Sequence, residues 1–143
     1  WSKDGNAEGM CKGPADMDDF RMKFDSLEEQ QEDPDSIYNY VKQVIRVRNQ
    51  NPVIARGTTA YLEQYSGEQC FALTRSYEGS NLLLLGNTSA EAVSVDLTGL
   101  TVGGTTAEEL VLLGELYTGE ETAERAGTVV TLPAYSILIL GEE

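Results

Sequence analysis

From Thr58 this 143-residue chain changes to a period of two, in short runs cut by turn residues. Alternation with a period of two belongs to strands that bury one face. Seven strands are predicted, over residues 58–65, 69–77, 81–87, 92–97, 110–117, 128–132 and 135–140. Ser66-Gly67, Glu78-Gly79, Asn87-Thr88-Ser89, Gly103-Gly104 and Gly119 punctuate them. Val93, Val95 and Leu97 alternate with Ser94 and Asp96, the mark of a half-buried antiparallel strand. The runs 82–85 and 137–140 are continuously apolar and suit central strands covered on both faces. Short strands at this spacing predict a mainly β fold, an antiparallel Greek-key β-sandwich.

One segment ahead of the strands follows another period. In "DPDSIYNYVKQVIRVRNQNP", residues 33–52, Asn39, Lys42, Gln43, Arg46 and Asn49 share one sector of a helical wheel. Ile37, Tyr38, Tyr40, Val41, Val44, Ile45 and Val47 fill the opposite half. Asp33 is the expected N-cap, Pro34 suits the first helical position, and Pro52 is the expected stop. A surface helix carries an apolar stripe about 100° wide; this one spans roughly 180° by the same geometry. One sheet cannot cover so broad a face. The helix therefore predicts a second partner outside this chain.

The expected division is 1–52, a loop and one long helix, and 53–143, the sandwich. Residues 1–32 are rich in Gly, Asp, Met and Glu, without periodicity, and read as a loop laid over a neighbour. The chain opens on Trp1, which reads as a processed start or one cut from a longer protein. A net charge of −14 argues against nucleic acid and anionic membranes, which need clustered Lys and Arg. No run approaches the ~18 apolar residues of a membrane span. The chain has no His, which removes Ser-His-Asp and Cys-His nucleophiles and the commonest zinc ligand. Cys11 and Cys70 form no CxxC, and their pairing is left open, with free thiols expected.

Several residues invite a functional reading. Asp16, Asp18, Asp19 and Asp25 offer carboxylates, but nothing sets them across a substrate, and a solvated acidic loop is expected. Asp4, Asn6, Glu8 and Gly9 match the first half of a calcium loop, D-x-N-x-E-G, yet the twelfth position is Ala15 instead of Glu. A plain turn is expected there, with no metal. Arg48 falls within the apolar helix face, where a guanidinium needs carboxylate or carbonyl partners, here expected on an adjoining domain. Tyr61, Tyr65, Tyr77 and Tyr117 lie near predicted strand ends, as half-buried strand residues or as a weak platform for sugar rings.

"LEEQQEDPDSIYNYVKQVIRVRNQNPVIARG", residues 27–57, resembles the segment that closes the catalytic barrel in the α-amylase family of glycoside hydrolases. The matching positions are Leu27 with Gln30, Asp33-Pro34 with Ser36, Val44-Ile45 with Val47-Arg48, Asn51-Pro52, and Gly57. Trp1-Ser2 with Gly9-Met10 looks like the stretch after the last barrel strand. The tail "GTVVTLPAYSILIL" looks like the last two strands of the family's C-terminal β-domain. The resemblance implies the C-terminal part of an α-glucan-hydrolysing enzyme, which would cover and stabilise the upstream catalytic barrel of the same polypeptide. It implies retaining hydrolysis for the parent, by two carboxylates about 5–5.5 Å apart, with Trp1 at the rim of the cleft. The family's catalytic carboxylates come from earlier strand ends and no matching motif occurs here, so this chain is expected to be inactive, with no cofactor. A bacterial, secreted or cell-surface parent fits this reading. Two alternatives stand beside it: an accessory α-glucan-binding module, and a self-contained interaction domain of the sandwich class.

Overall fold

The computed structural model describes residues 24–142. Three helices come first: α1 (Leu27–Glu32), α2 (Ile37–Gln50) and α3 (Pro52–Arg56). Ten strands follow among the described residues: β1 (Thr58–Tyr61), β2 (Cys70–Tyr77), β3 (Ser80–Asn87), β4 (Val93–Asp96), β5 (Thr101–Val102), β6 (Thr105–Thr106), β7 (Val111–Leu116), β8 (Glu124–Ala126), β9 (Val129–Leu132) and β10 (Ile137–Gly141). The described chain parts into two compact units, the first ending at Lys42 and the second beginning at Gln43.

In the first unit, α1 is set by a capping box. Ser26 Oγ accepts the Glu29 amide at 3.3 Å, and the Glu29 carboxylate accepts the Ser26 amide at 3.0 Å. The start of α2 differs from expectation. The chain turns through residues 33–36, and the cap is Ser36, whose Oγ accepts the Asn39 amide at 3.2 Å. Asp33 instead takes the Asp35 amide on its own side chain at 3.0 Å, a local turn that competes with capping.

The second unit is built on antiparallel pairing. Its five-stranded sheet runs β1-β2-β3-β10-β7, and a three-stranded sheet runs β4-β9-β8. The last strand, β10, returns to lie between β3 and β7, which is Greek-key connectivity. Ala72, Leu83, Leu85, Leu138 and Leu140 from the first sheet share one core with Val95, Val130 and Leu132 from the second. The mainly β antiparallel sandwich is therefore as the alternation predicts. Both faces of the central strands are covered: Leu82 and Leu83 on β3, and Ile139 and Leu140 on β10, are all buried.

β2 and β3 join through Glu78 and Gly79, both at positive φ (49° and 86°), between the paired Tyr77 and Ser80. That geometry is a two-residue hairpin turn whose twist matches its strands.

The structure corrects several boundaries. Pro52, expected to stop the long helix, opens α3 at its first position, where its missing N–H removes nothing. The first predicted strand ends at Tyr61 and passes into a 3₁₀ turn over Glu63–Tyr65. The hairpin β5–β6 and the strand β8 were not predicted. β8 is polar and exposed, yet it pairs with β9. Its Arg125 donates to the carbonyls of Ala107, Leu110 (2.6 Å) and Gly127 (3.3 Å).

Candidate functional site

α2 begins in the first unit and ends in the second. In the first, Gln30 acts as a junction. Its Nε2 donates to the Asp25 carbonyl at 2.8 Å, and its Oε1 accepts the Tyr38 amide at 3.3 Å. Asn39 Nδ2 donates to the carbonyls of Gln30 (3.0 Å) and Asp33 (2.7 Å). Ser36 Oγ also donates to the Gln30 carbonyl. Backbone groups left over at the junction of α1 and α2 thus find side-chain partners. Ile37 and Val41 project from this start with 65% and 47% of their surface exposed.

In the second unit the rest of α2 is tied to the sheet. Gln43 Nε2 donates to the Glu115 carbonyl at 3.2 Å. A Cβ built on Gly114 would stand 2.9 Å from Val47 Cγ1, so the glycine lets the helix approach β7 closely. Val47 is the buried residue of α2, and Val53 of α3 is buried as well. Ile45 remains 51% exposed. With Ile37 and Val41 it follows the i, i+4, i+8 spacing of one helix face. The amphipathic pattern is real, but the sheet takes only a sliver of it.

Arg48 is exposed among the described residues and donates to Asn49 Oδ1 at 3.4 Å. With Asn49, Pro52, Ala55 and Arg56 it lines a notch of ≈ 260 Å³. The carboxylate or carbonyl partners expected for Arg48 belong to an adjoining domain; within the described residues Arg48 and Arg56 line an open notch.

The four tyrosines do not converge. Tyr61 and Tyr77 sit toward opposite ends of the β1–β2 pair, since Tyr61 faces Leu73 and Thr58 faces Ser76. Tyr117 follows β7, the far edge of the same sheet from β1. Tyr65 packs against the core and donates its hydroxyl to the Thr98 carbonyl at 3.2 Å. The Tyr117 hydroxyl donates to Glu115 Oε2 at 2.8 Å and accepts the Ala123 amide at 3.0 Å. Burial, with the Glu115 carboxylate beside it, pushes the Tyr117 phenol up. Tyr61 alone of the four is broadly exposed. Tyr135, exposed at the turn before β10, was not singled out from sequence.

Asp25 lies on the surface with its carbonyl bonded to Gln30. Cys70 keeps a free thiol, half-buried against the core. Trp1, Asp4, Asn6, Glu8, Gly9, Cys11, Asp16, Asp18 and Asp19 lie outside the described residues. Among those described, no group of three or more Cys, Asp or Glu side chains is arranged to hold a metal ion. No helix there is long and apolar enough to cross a membrane.

Comparison with solved structures decides the family. Eubacterium rectale Amy13B superposes over 100% of this chain with a TM-score of 0.85 and 38% identity. The chain is a C-terminal region of the α-amylase family. The trehalulose synthase MutB from Pseudomonas mesoacidophila MX-45 matches 80% of it at 25% identity and a TM-score of 0.61. An α-amylase from H. orenii, 23% identical over 82% of the chain with a TM-score of 0.63, shares the fold. The chain spans 26%, 19% and 22% of these three proteins, respectively. No protein-family model matches, and neither does a curated sequence. In this α-amylase-family region, the large apolar side chains exposed among the described residues include Ile37, Val41 and Ile45 of α2.

Proposed function

We propose that this region is the non-catalytic C-terminal part of an α-glucan-hydrolysing enzyme, and that α2 docks it on the upstream catalytic barrel of the same polypeptide. On this reading residues 1–52 belong to the end of the barrel, and residues 53–143 form the domain that covers and stabilises it. The observation that carries the proposal is the exposure of Ile37, Val41 and Ile45 on a helix whose Val47 is buried. Large aliphatic side chains gain about 1.5–3 kcal/mol each on full burial, so three in a row supply a docking surface. The Arg48–Arg56 notch supports the same reading, because paired guanidinium groups suit a carboxylate brought by the barrel. The breadth of the match, the whole of this chain against a quarter of Amy13B, fits a domain of a longer enzyme.

The test is reconstitution. The 143-residue chain is mixed with Amy13B shortened by the quarter that this chain matches, and association is followed by analytical ultracentrifugation. A complex that disappears with Ile45→Glu supports docking through α2. No complex, or one indifferent to Ile45→Glu, refutes it. The isolated chain is expected to release no reducing sugar from starch or pullulan; turnover that follows the chain through purification would overturn its non-catalytic assignment.

A further inference from the structure

The chain between α2 and β1 contains no free linker. α2 ends at Gln50, α3 runs over Pro52–Arg56 and β1 begins at Thr58, which leaves Asn51 and Gly57 as the joints. Both are held. The Asn51 amide and its Nδ2 donate to the Val47 carbonyl, at 3.2 and 2.9 Å. The Gly57 amide donates to the Val53 carbonyl at 3.0 Å. A Cβ on Gly57 would stand 2.6 Å from that oxygen and 3.0 Å from the Ser76 carbonyl of β2. Glycine is what lets the chain pass so close to the sheet.

The elements beside these joints are tied to the sheet as well. Arg75 of β2 donates from Nε to the Val53 carbonyl at 3.3 Å, and Val53 is buried. Gln43 reaches the Glu115 carbonyl of β7. Between them Val47, also buried, lies over Gly114, where a Cβ would stand 2.9 Å from Val47 Cγ1 and 3.4 Å from Ile139 Cδ1. Residues 43–57 thus meet β2 and β7 at several independent points. The second compact unit accordingly begins at Gln43, inside the helix, and not at the first strand. A segment fixed by burial, by hydrogen bonds to two strands and by close glycine contacts opens when the sheet beneath it opens.

We infer that the second half of α2, with α3, is a clamp that unfolds together with the sandwich, so that whatever covers Ile45 is coupled to the stability of the sandwich. Ile45 is 51% exposed on this clamped half of the helix. By linkage, a partner that binds only the folded helix stabilises every element of the same cooperative unit. That this partner is the catalytic barrel rests on the docking reading above; the clamp itself does not. On that reading the barrel grips the sandwich through a helix that both share, and not through a tether.

Native-state hydrogen exchange on the full chain, read residue by residue by NMR in low urea, tests the clamp. The amides of residues 46–51 are expected to exchange within about tenfold of the slowest amides of β10, as members of one cooperative unit do. Exchange more than about a hundredfold faster at 46–51, with β10 still protected, would overturn the inference. This arm needs no variant to fold. A second arm uses the contact at Gly114. Gly114→Ala and Val47→Ala should each speed exchange at 46–51 and on β10 alike. Combined, they should recover part of the protection, because Val47→Ala vacates the space that the new Cβ needs. Faster exchange at 46–51 alone would show a helix that lifts off by itself and would overturn the coupling. None of these measurements involves the barrel, so the docking reading is decided separately, by reconstitution with Ile45→Glu.

Discussion

β10 and α2 are made of the same aliphatic residues and end in opposite surroundings. On β10, Leu138, Ile139 and Leu140 are all within 4% of complete burial. On α2, Ile37, Val41 and Ile45 are about half open to water, and Val47 is the one buried residue. A central strand has a hydrogen-bonded neighbour on each edge and a packed layer on each face, so every side chain meets protein. A helix on the outside of a sheet meets protein along one line. The rest of its apolar surface stays open unless another body covers it. Equal hydrophobicity in the sequence thus marks self-sufficiency in the strand and an unfilled interface in the helix.

The largest effect that can break this comparison lies in the core. Leu140→Ala is expected to cost about 2–5 kcal/mol, as buried Leu→Ala changes do, measured by urea unfolding of the chain. A loss no greater than that of a surface substitution would mean that β10 is not the central strand it is taken to be. Next comes the polar support. Asn87→Ala removes the donor shared by the Leu132 and Pro133 carbonyls, with an expected loss of about 1–3 kcal/mol. The smallest effect should come from the helix. Ile45→Ala is expected to change the stability of the isolated chain by no more than about 0.5 kcal/mol. A large loss there would show that α2 already has its partner within the chain.

A pH series sharpens the contrast from the surface side. Asp96 Oδ1 accepts the Thr98 hydroxyl at 2.7 Å, the Thr98 amide at 2.9 Å and the Thr128 hydroxyl at 3.1 Å. The Thr98 hydroxyl above all, then its amide and the Thr128 hydroxyl, hold the Asp96 carboxyl below the ordinary carboxylate range. Thr106 does the same for Glu109. A folded-state pKa below the unfolded one gives stability that is present above the unfolded value and lost as pH falls through the folded value. The melting temperature should therefore fall on acidification, and less steeply in an Asp96→Asn, Glu109→Gln double variant. Parallel acid profiles for the two proteins would show that these turns contribute nothing.

The strands were legible where the pattern was long and local. The alternation of Val93, Val95 and Leu97 and the apolar run at 82–85 correspond to β4 and β3 within a residue or two at each end. β8 was not legible, because Glu124, Arg125 and Ala126 carry no apolar face. What holds it is a pairing with β9 and the carbonyls that Arg125 reaches. α1 had a readable signal, the Ser26…Glu29 capping box, but it stood in a segment read as loop. Pro52 was ambiguous by nature: proline ends one helix as readily as it opens the next. Tyr61 and Tyr77 end β1 and β2 and Tyr117 follows β7, while Tyr65 lies in the 3₁₀ turn beyond β1, and the four fail to meet because strand order determines which ends are neighbours.

By itself, the sequence determined the period of each segment, and through it the class of fold: alternation forces half-buried strands, and a broad apolar face on a helix demands more cover than one sheet provides. The tertiary structure alone decided which residues of that face stay open, why Gly114 lets Val47 in while Ile45 stays out, and that Tyr135 is displayed on a strained turn. The physical reason is that period is a local property of the backbone. Coverage is a property of neighbours brought together from far along the chain.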